Sequence, residues 1–167
     1  MTHQIIQQDI RLLAQNIINK ARHKTLMVAL AESCTGGMIA AALTDISGSS
    51  AVLDRGFVTY SNHAKIDILG VKNTTLDQHG AVSEQTARAM VDGTLNAAPL
   101  ADVALSVTGI AGPTGGGPDK PVGLVHFSCQ RRGMPQIHAK HIFSGDRHLV
   151  RYQAVKTALL MIDDALA

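Results

Sequence analysis

The stretch "TLMVALAESCTGG" (residues 25–37) places polar side chains and two glycines directly after an apolar run. Its first part, residues 25–33, is typical of a short buried strand. Gly36 and Gly37 then allow the backbone to turn, and the apolar spacing over residues 38–46 predicts a helix. We therefore expect a strand, a tight turn and a helix, with the polar side chains at the carboxyl end of the strand.

Two potential nucleophiles stand in this turn, Ser33 and Cys34. A serine is a weak nucleophile unless a base lies beside it, while backbone N–H groups of the glycines and the helix start would stabilise an oxyanion or a phosphate. The same residues also fit a structural role, because a serine before a helix usually caps it and a buried cysteine usually packs as a small apolar side chain. Taken alone, the stretch favours the capping role for Ser33. Glu32 likewise fits either a role in the chemistry or a structural role.

The rest of the chain alternates between helical and strand patterns, and a strand pair precedes the last helix. Besides residues 25–33, strands are expected at residues 51–61, 102–110, 122–130 and 136–143. Besides residues 38–46, helices are expected at residues 3–23, 62–70, from Ser83 to Ala98, and from about Asp146 onwards. This order indicates an α/β fold with a mixed, partly antiparallel sheet and helices on both faces. Loops after the strand ends are the favoured place for a site in such folds.

A second polar cluster, "TYSNHAK" (residues 59–65), stands where the next strand gives way to a helix. It brings together Tyr60, Ser61, Asn62 and Lys65. A lysine can activate a serine if burial or a neighbouring cation lowers the pKa of its ammonium group. In isolation the segment favours the ordinary alternative, a solvated lysine on a short helix.

Glycines and prolines are interleaved in "TGIAGPTGGGPDKPVG" (residues 108–123). Glycine permits unusual backbone angles and close approach, whereas proline fixes the shape of a segment. We expect an ordered loop around a small ligand. The loop matches neither a Walker A motif nor a dinucleotide-binding fingerprint.

The segment "FSGDR" (residues 143–147) leads into the last helix. Arg147 at a helix start can bind a phosphate or a carboxylate through paired hydrogen bonds. A surface arginine beside the capping residue Asp146 is an equally good interpretation of this segment alone.

Composition restricts the function further. With 167 residues we expect one domain, and a net charge of +2 with 3% aromatic residues gives neither the basic patch nor the stacking platform of a nucleic-acid-binding protein. Two cysteines in a chain of this length indicate a reducing, cytoplasmic location. We expect no signal peptide, no membrane span, no metal site and no cofactor, because the residue patterns that each requires are missing. His138 and His141, for example, should point to opposite faces of their strand.

Read together, five segments occur in one order: "AESCTGG", "GFVTYSN.AK", "GAVSE", "TGIAGP.GG...KPVG" and "FSGDR". In this order they strongly resemble the nicotinamide-nucleotide amidases, also called the CinA C-terminal domain family. The resemblance covers the chain from about residue 26 to the last helix. It implies a three-layer α/β/α fold and one amidase domain over residues 1–167, in the stand-alone form without the extra N-terminal domain of the larger CinA proteins.

The resemblance also implies a reaction and a set of site residues. The reaction is hydrolysis of the carboxamide of nicotinamide mononucleotide to nicotinic acid mononucleotide and ammonia, without a cofactor. Ser33 would be the nucleophile and Lys65 its base, with substrate-binding roles for the following residues: Ser50, Tyr60, Thr108, Gly109 and Arg147. A pyridine nucleotide is the implied partner, and a homodimer or higher homo-oligomer is the implied assembly. Two alternatives stay open: a paralogue that binds a pyridine nucleotide without hydrolysing it, and an amidase for another small amide.

Overall fold

A computed structural model describes residues 3–167. In chain order, the elements are α1 (His3–Lys24), β1 (Val28–Glu32), α2 (Met38–Thr44), β2 (Leu53–Val58), α3 (Asn62–Leu69), α4 (Asn73–His79), α5 (Glu84–Ala97), β3 (Val103–Gly109), β4 (Leu124–Arg131), β5 (Ile137–Ile142) and α6 (Arg147–Ala165). A short 3-10 helix, Ser49–Ala51, precedes β2.

The strands form one mixed sheet in the order β2-β1-β3-β4-β5. Strand β1 pairs in parallel with β2 and β3, whereas β3, β4 and β5 pair antiparallel. Parallel neighbours need helical crossovers, which α2 and the α3–α5 segment supply. The carboxyl ends of β1, β2 and β3 therefore meet at one edge of the sheet, and the expected mixed sheet is confirmed.

Helices cover both faces of the sheet, because side chains of a strand alternate between its two sides. Val28 and Leu30 of β1 belong to the large core shared with α1, α2 and α6. Ala31 belongs to the opposite core, which includes Leu69 at the end of α3 and Met90 of α5. The fold is thus the three-layer α/β/α arrangement that the resemblance implied.

Close packing of α3 against α5 depends on a glycine. A Cβ added to Gly93 of α5 would overlap with the carbonyl oxygen of Leu69 at the end of α3. Gly70 then ends α3 in a left-handed conformation, with φ of 66°, which costs glycine little. This packing holds α3, and with it Lys65, against the body of the protein.

Two local features differ from the sequence-based expectation. Helix α4 was not predicted, because its only buried side chain is Leu76 and its first turn has no side-chain cap. Helix α2 ends at Thr44 and not near Gly48, and tighter turns follow, such as the hydrogen bond from the Ile46 N–H to the Leu43 carbonyl (3.2 Å). Within residues 3–167, every helix is too short or too polar to span a lipid bilayer.

Candidate active site

A cavity of about 230 Å³ lies at the edge where the parallel strands end. We call it the Ser33 cavity and define it by its lining residues: Ser33, Cys34, Tyr60, Lys65, Ala81, Val82, Thr108, Gly109, Ala111 and Arg147. The turn after β1, the segment after β2, the end of β3 and the start of α6 all contribute to it. Residues far apart in the sequence meet here because their strands are neighbours in the sheet.

Ser33 and Lys65 are in direct contact. The Lys65 Nζ donates to Ser33 Oγ at 3.0 Å and to the carbonyl oxygen of Thr59 at 2.7 Å. Ser61 caps α3 by accepting from the Ala64 N–H at 3.0 Å, which fixes the first turn of the helix that carries Lys65. A serine hydroxyl beside a lysine amine is the arrangement that a serine nucleophile with a lysine base requires.

Lys65 is buried, with 1% of its surface exposed. Burial lowers the pKa of its ammonium group from 10.5 to about 8, because an apolar environment disfavours the charged form. At pH 7, roughly one tenth of such an amine is neutral and able to accept a proton. The lysine is therefore not the solvated surface residue of the ordinary alternative.

Glu32 caps the start of α2. From the sequence alone, Ser33 is the favoured residue for this role. The buried carboxylate of Glu32 accepts from the N–H groups of Gly37 (3.0 Å), Ile39 (3.1 Å) and Ala40 (2.8 Å), and from the hydroxyl of Thr35 (2.7 Å). The negative charge also complements the positive end of the helix. Ser33 is thereby free of the capping role.

This cap corrects the expectation that both glycines offer amides to a ligand. The Gly37 N–H donates to Glu32 Oε2, and the Gly36 N–H donates to the carbonyl oxygen of Ser33 at 3.0 Å. The two amides of the turn without such partners in the described part of the chain are those of Cys34 and Thr35. Within this turn, these two amides are the ones left for an oxyanion formed at Ser33.

Cys34 lines the same cavity but is a poor competitor as a nucleophile. Its side chain is 6% exposed, and burial raises the pKa of its thiol to about 12. The reactive form of a cysteine is the thiolate, which is scarce at such a pKa. Cys34 is best described as a small apolar wall residue.

Arg147 and Tyr60 close one side of the cavity. Arg147, the first residue of α6, donates from Nη1 to the Gly112 carbonyl at 2.8 Å and from Nη2 to the Tyr60 hydroxyl at 3.2 Å. Asp146 caps the helix by accepting from the Leu149 N–H at 2.8 Å. Because a guanidinium carries five N–H donors, Arg147 keeps donors for an anionic ligand after making both contacts.

The end of β3 forms another wall. The hydroxyl of Thr108, 1% exposed, donates to the Ala81 carbonyl at 2.8 Å and so holds the segment before α5 against the strand. Gly109 pairs with Val125 of β4, and a Cβ at Gly109 would lie 2.7 Å from Val125 Cγ2. Gly109 is therefore required by the close approach of the two strands at the cavity.

The glycine-rich loop, residues 108–123, is held by a side-chain contact near each of its ends. Arg147 binds its Gly112 carbonyl, and Lys120 donates from Nζ to the His79 carbonyl at 2.6 Å. Gly109 and Ala111 are the residues of the 108–123 segment, besides Thr108, that line the cavity. The exposed residues 113–119 lie outside the cavity lining.

Ser50 lies apart from the other residues expected at the site. It is exposed on the 3-10 helix Ser49–Ala51 and is not among the residues that line the Ser33 cavity. The structure thus brings six of the seven candidates together: Ser33, Lys65, Tyr60, Thr108, Gly109 and Arg147.

Several residues that shape the site were not predicted from the sequence. Thr59 supplies the carbonyl that orients Lys65, and Ala81 and Val82 line the cavity. Arg151 donates to the carbonyl oxygens of Cys34 and Thr35 at 3.1 and 2.8 Å. Its position four residues after Arg147, on the same face of a helix, is the signal that could have indicated it.

The histidines of β5 point to opposite faces, as expected. His138 contacts His126, with 3.0 Å between their ring nitrogens, and lies near Glu84 of α5. His141 instead stacks on Phe143 with ring centroids 5.3 Å apart. Among the described residues 3–167, no group of three or more His, Cys, Asp or Glu side chains is arranged to hold a metal ion.

The sequence of the chain is similar to those of known proteins. The family model of the CinA C-terminal domain matches residues 10–166. The chain is 58% identical over 132 residues to the nicotinamide-nucleotide amidohydrolase PncC of Enterobacter agglomerans, which covers 79% of this chain and 80% of that protein. It is 54% identical over 140 residues to the protein of the same name from Escherichia coli K12, with 84% and 83% covered.

A solved structure is similar over nearly the whole chain. The competence/damage inducible protein CihA of Agrobacterium tumefaciens superposes with a TM-score of 0.91 and 52% sequence identity, covering 95% of each chain. The residues matched by the family model include every strand and all residues that line the Ser33 cavity. The superposition with the solved structure extends over nearly the whole of both chains. On both grounds, the chain belongs to the CinA C-terminal domain family.

Proposed function

We propose that this protein hydrolyses the carboxamide of nicotinamide mononucleotide, giving nicotinic acid mononucleotide and ammonia. Two relatives named nicotinamide-nucleotide amidohydrolase share 54% and 58% of the aligned residues with this chain. The observation that carries the proposal is the 3.0 Å contact between Lys65 Nζ and Ser33 Oγ inside a cavity.

In the acylation half of the reaction, neutral Lys65 accepts the hydroxyl proton of Ser33. Ser33 Oγ forms a bond to the carboxamide carbon, and the carbonyl oxygen becomes an oxyanion. Lys65 then returns the proton to the amide nitrogen, the C–N bond breaks and ammonia leaves. The product of this half is an ester of Ser33 with the nicotinoyl group, whose ring nitrogen still carries the ribose phosphate.

In the second half, water replaces ammonia. Lys65 accepts a proton from the water, whose oxygen bonds to the ester carbon, and the proton returns to Ser33 Oγ as the ester bond breaks. Nicotinic acid mononucleotide leaves and the resting dyad is restored. Each proton transfer uses the same lysine, so a pKa of about 8 suits its alternating roles as base and acid at neutral pH.

The remaining candidates are assigned to substrate binding. Arg147 would pair with the phosphate of the nucleotide, since it lines the cavity and keeps unused donors. Tyr60 would orient the bound nucleotide together with Arg147. Thr108 and Gly109 shape the wall near the ends of the strands, and the oxygen of Thr108 retains acceptor capacity for the amide N–H groups.

Ser50 enters this proposal differently from the others. Within one protomer it is exposed and does not line the cavity. We keep its substrate-binding role as a prediction, and Ser50→Ala tests it through the KM for nicotinamide mononucleotide.

The experiment that tests the function is incubation of purified protein with nicotinamide mononucleotide, with ammonia and nicotinic acid mononucleotide both quantified. We expect equimolar products from the wild-type protein and none from Ser33→Ala. Binding of the nucleotide without ammonia release by the wild type would instead identify a non-hydrolysing paralogue. Faster release from another small amide than from the nucleotide would reassign the substrate.

A further inference from the structure

Arg151 is a second arginine on α6 that the mechanism above does not use. Its Nε donates to the Cys34 carbonyl at 3.1 Å, and its Nη2 donates to the Thr35 carbonyl at 2.8 Å. Arg151 does not line the Ser33 cavity, so it reaches the site only through the backbone of the turn that carries Ser33. Its side chain also lies under Gly36, where an added Cβ would be 3.5 Å from Nη2.

These two contacts determine the orientation of peptide planes. In a trans peptide, the carbonyl of one residue and the N–H of the next point in opposite directions, and these bonds are trans because the one cis bond in residues 3–167 is Gly112–Pro113. By holding the Cys34 carbonyl, Arg151 directs the Thr35 N–H away from itself. By holding the Thr35 carbonyl, it likewise directs the Gly36 N–H away.

The orientation of the peptide between Ser33 and Cys34 follows from that of the peptide between Thr35 and Gly36. The Gly36 N–H, directed in this way, donates to the Ser33 carbonyl at 3.0 Å. That bond fixes the peptide between Ser33 and Cys34 and therefore the direction of the Cys34 N–H. Arg151 thus contacts two of the three peptide planes from Ser33 to Gly36 directly and acts on the third through a neighbour. The Thr35 carbonyl also accepts from the Met38 N–H at 3.3 Å, whereas Arg151 is the side chain that holds both carbonyls.

The amides fixed in this way are the ones left for an oxyanion. Those of Gly36 and Gly37 are already bonded within the protein. The Thr35 N–H has no acceptor among residues 3–167, and the Cys34 N–H meets only the weak acceptor of its own thiol. The N–H of the residue after a nucleophile is a common oxyanion donor, and such donors act only when their direction is fixed in advance.

We infer that Arg151 is the positioning residue of the oxyanion hole, holding the Cys34 and Thr35 amides in the direction in which the oxyanion of the substrate forms. This inference rests on the proposed amide hydrolysis at Ser33. Arg147 and Arg151 then have different roles on the same face of α6. Arg147 binds the substrate at the cavity, and Arg151 holds the turn that carries Ser33 from the side opposite to the cavity.

The test compares nicotinamide mononucleotide with its thioamide analogue, both followed by ammonia release. The sulfur of a thioamide is a weaker hydrogen-bond acceptor and lies farther from its carbon, so the analogue gains less from a correctly placed pair of N–H donors. In Arg151→Met we expect kcat for the amide to fall by about tenfold to a hundredfold, with KM changed less than about threefold. The amide-to-thioamide ratio of kcat/KM should fall with it.

This ratio separates positioning from a loss of folded protein. A variant that is partly unfolded loses activity on both substrates equally, which leaves the ratio at its wild-type value. Arg151→Lys should give an intermediate ratio, because one ammonium group cannot hold both carbonyls as the planar guanidinium does. If Arg151→Met does not fold, the ratio in Arg151→Lys decides the question by the same criterion.

Lys156→Met is the matched control. Lys156 is also a cation on α6, but it pairs with Asp9 at 2.6 Å, away from the turn of Ser33. We expect wild-type kcat and a wild-type ratio. An unchanged ratio in both Arg151 variants, with active wild-type protein, would overturn the positioning role alone, whereas a wild-type protein without amide hydrolysis would overturn both this inference and the proposed function.

Discussion

Lys65 Nζ lies 3.0 Å from Ser33 Oγ although 31 residues separate the two in the chain. The short distance is a consequence of strand pairing. Ser33 follows β1 directly, β1 pairs in parallel with β2, and the segment after β2 leads into α3 with Lys65 in its first turn. The close packing of α3 on α5 at Gly93 then keeps the lysine buried.

Ser33→Ala should abolish amide hydrolysis and leave the fold intact. The substitution removes one hydrogen bond to Lys65, which we expect to cost about 1 kcal/mol of the free energy of unfolding. Turnover and denaturant unfolding measured on the same preparation check both parts. Cys34→Ala is the paired control and should remain active, because the Cys34 thiol is buried and protonated. An active Ser33→Ala protein would contradict the assignment of the nucleophile.

The rate of hydrolysis should follow the protonation of Lys65. With a pKa of about 8, kcat should rise about tenfold per pH unit below that value and level off above it. Lys65→Met should lose this profile together with most of its activity, while KM changes little. Steady-state kinetics between about pH 6 and about pH 9.5 measure the profile. If Lys65→Met has the kcat of the wild type, Lys65 is not the base and its role is structural.

Lys65 should also make stability depend on pH. Its folded-state pKa of about 8 lies below its ordinary value of 10.5, so between these values the unfolded chain binds more protons than the folded protein. Stability then rises with pH across this window, by up to about 3 kcal/mol, and the penalty of burying the lysine is complete below pH 8. The free energy of unfolding of wild type minus that of Lys65→Met should therefore increase from pH 7 to pH 10. A difference that is flat or falls with pH would show that the lysine is not buried in its charged form at pH 7.

Arg147→Met should weaken nucleotide binding more than it slows the chemical step. If the guanidinium binds the phosphate, the KM for nicotinamide mononucleotide should rise about tenfold or more, and the KM for the phosphate-free riboside should change far less. Saturation kinetics with both compounds measure this preference. An unchanged preference for the nucleotide would place the phosphate elsewhere, with Lys120 on the neighbouring loop as the next candidate.

Glu32→Gln should destabilise the protein more than any substitution of the dyad. The carboxylate accepts four hydrogen bonds while 1% exposed, and an amide replaces one acceptor oxygen with a group that can only donate. We expect a loss of at least about 2 kcal/mol in the free energy of unfolding. Thr35→Val, which removes one of the four donors, is the milder comparison and should cost about 1 kcal/mol. Equal stabilities for Glu32→Gln and wild type would mean that the cap is dispensable.

The sequence predicted the strands and the longer helices well, because apolar spacing and capping residues agree there. Ser83 and Asp146 are the predicted helix starts, and each accepts the expected backbone N–H. Helix α4 escaped because a helix of seven residues with one buried side chain has almost no periodic signal. The early end of α2 depends on turns after Thr44 that composition does not reveal.

The sequence predicts which residues belong to the site where they stand directly after a predicted strand. The distance between Ser33 and Lys65 depends on the sheet order, and the depressed pKa of the lysine depends on burial, so neither could be read from local sequence. The roles of Glu32 and Arg151 were hidden for another reason. Both act on backbone groups, and a contact to the backbone leaves no complementary residue type in the sequence of its partner.

The carboxylate of Glu32 has a consequence for how relatives of this chain could diverge. A descendant that no longer performs chemistry can lose Ser33 and Lys65 at little cost, and removal of the buried lysine would even make it more stable at neutral pH. The same descendant still needs Glu32 to keep α2 attached to the end of β1. Retention of an acid at position 32 with replacements at positions 33 and 65 would therefore mark members that inherited the scaffold and abandoned the reaction.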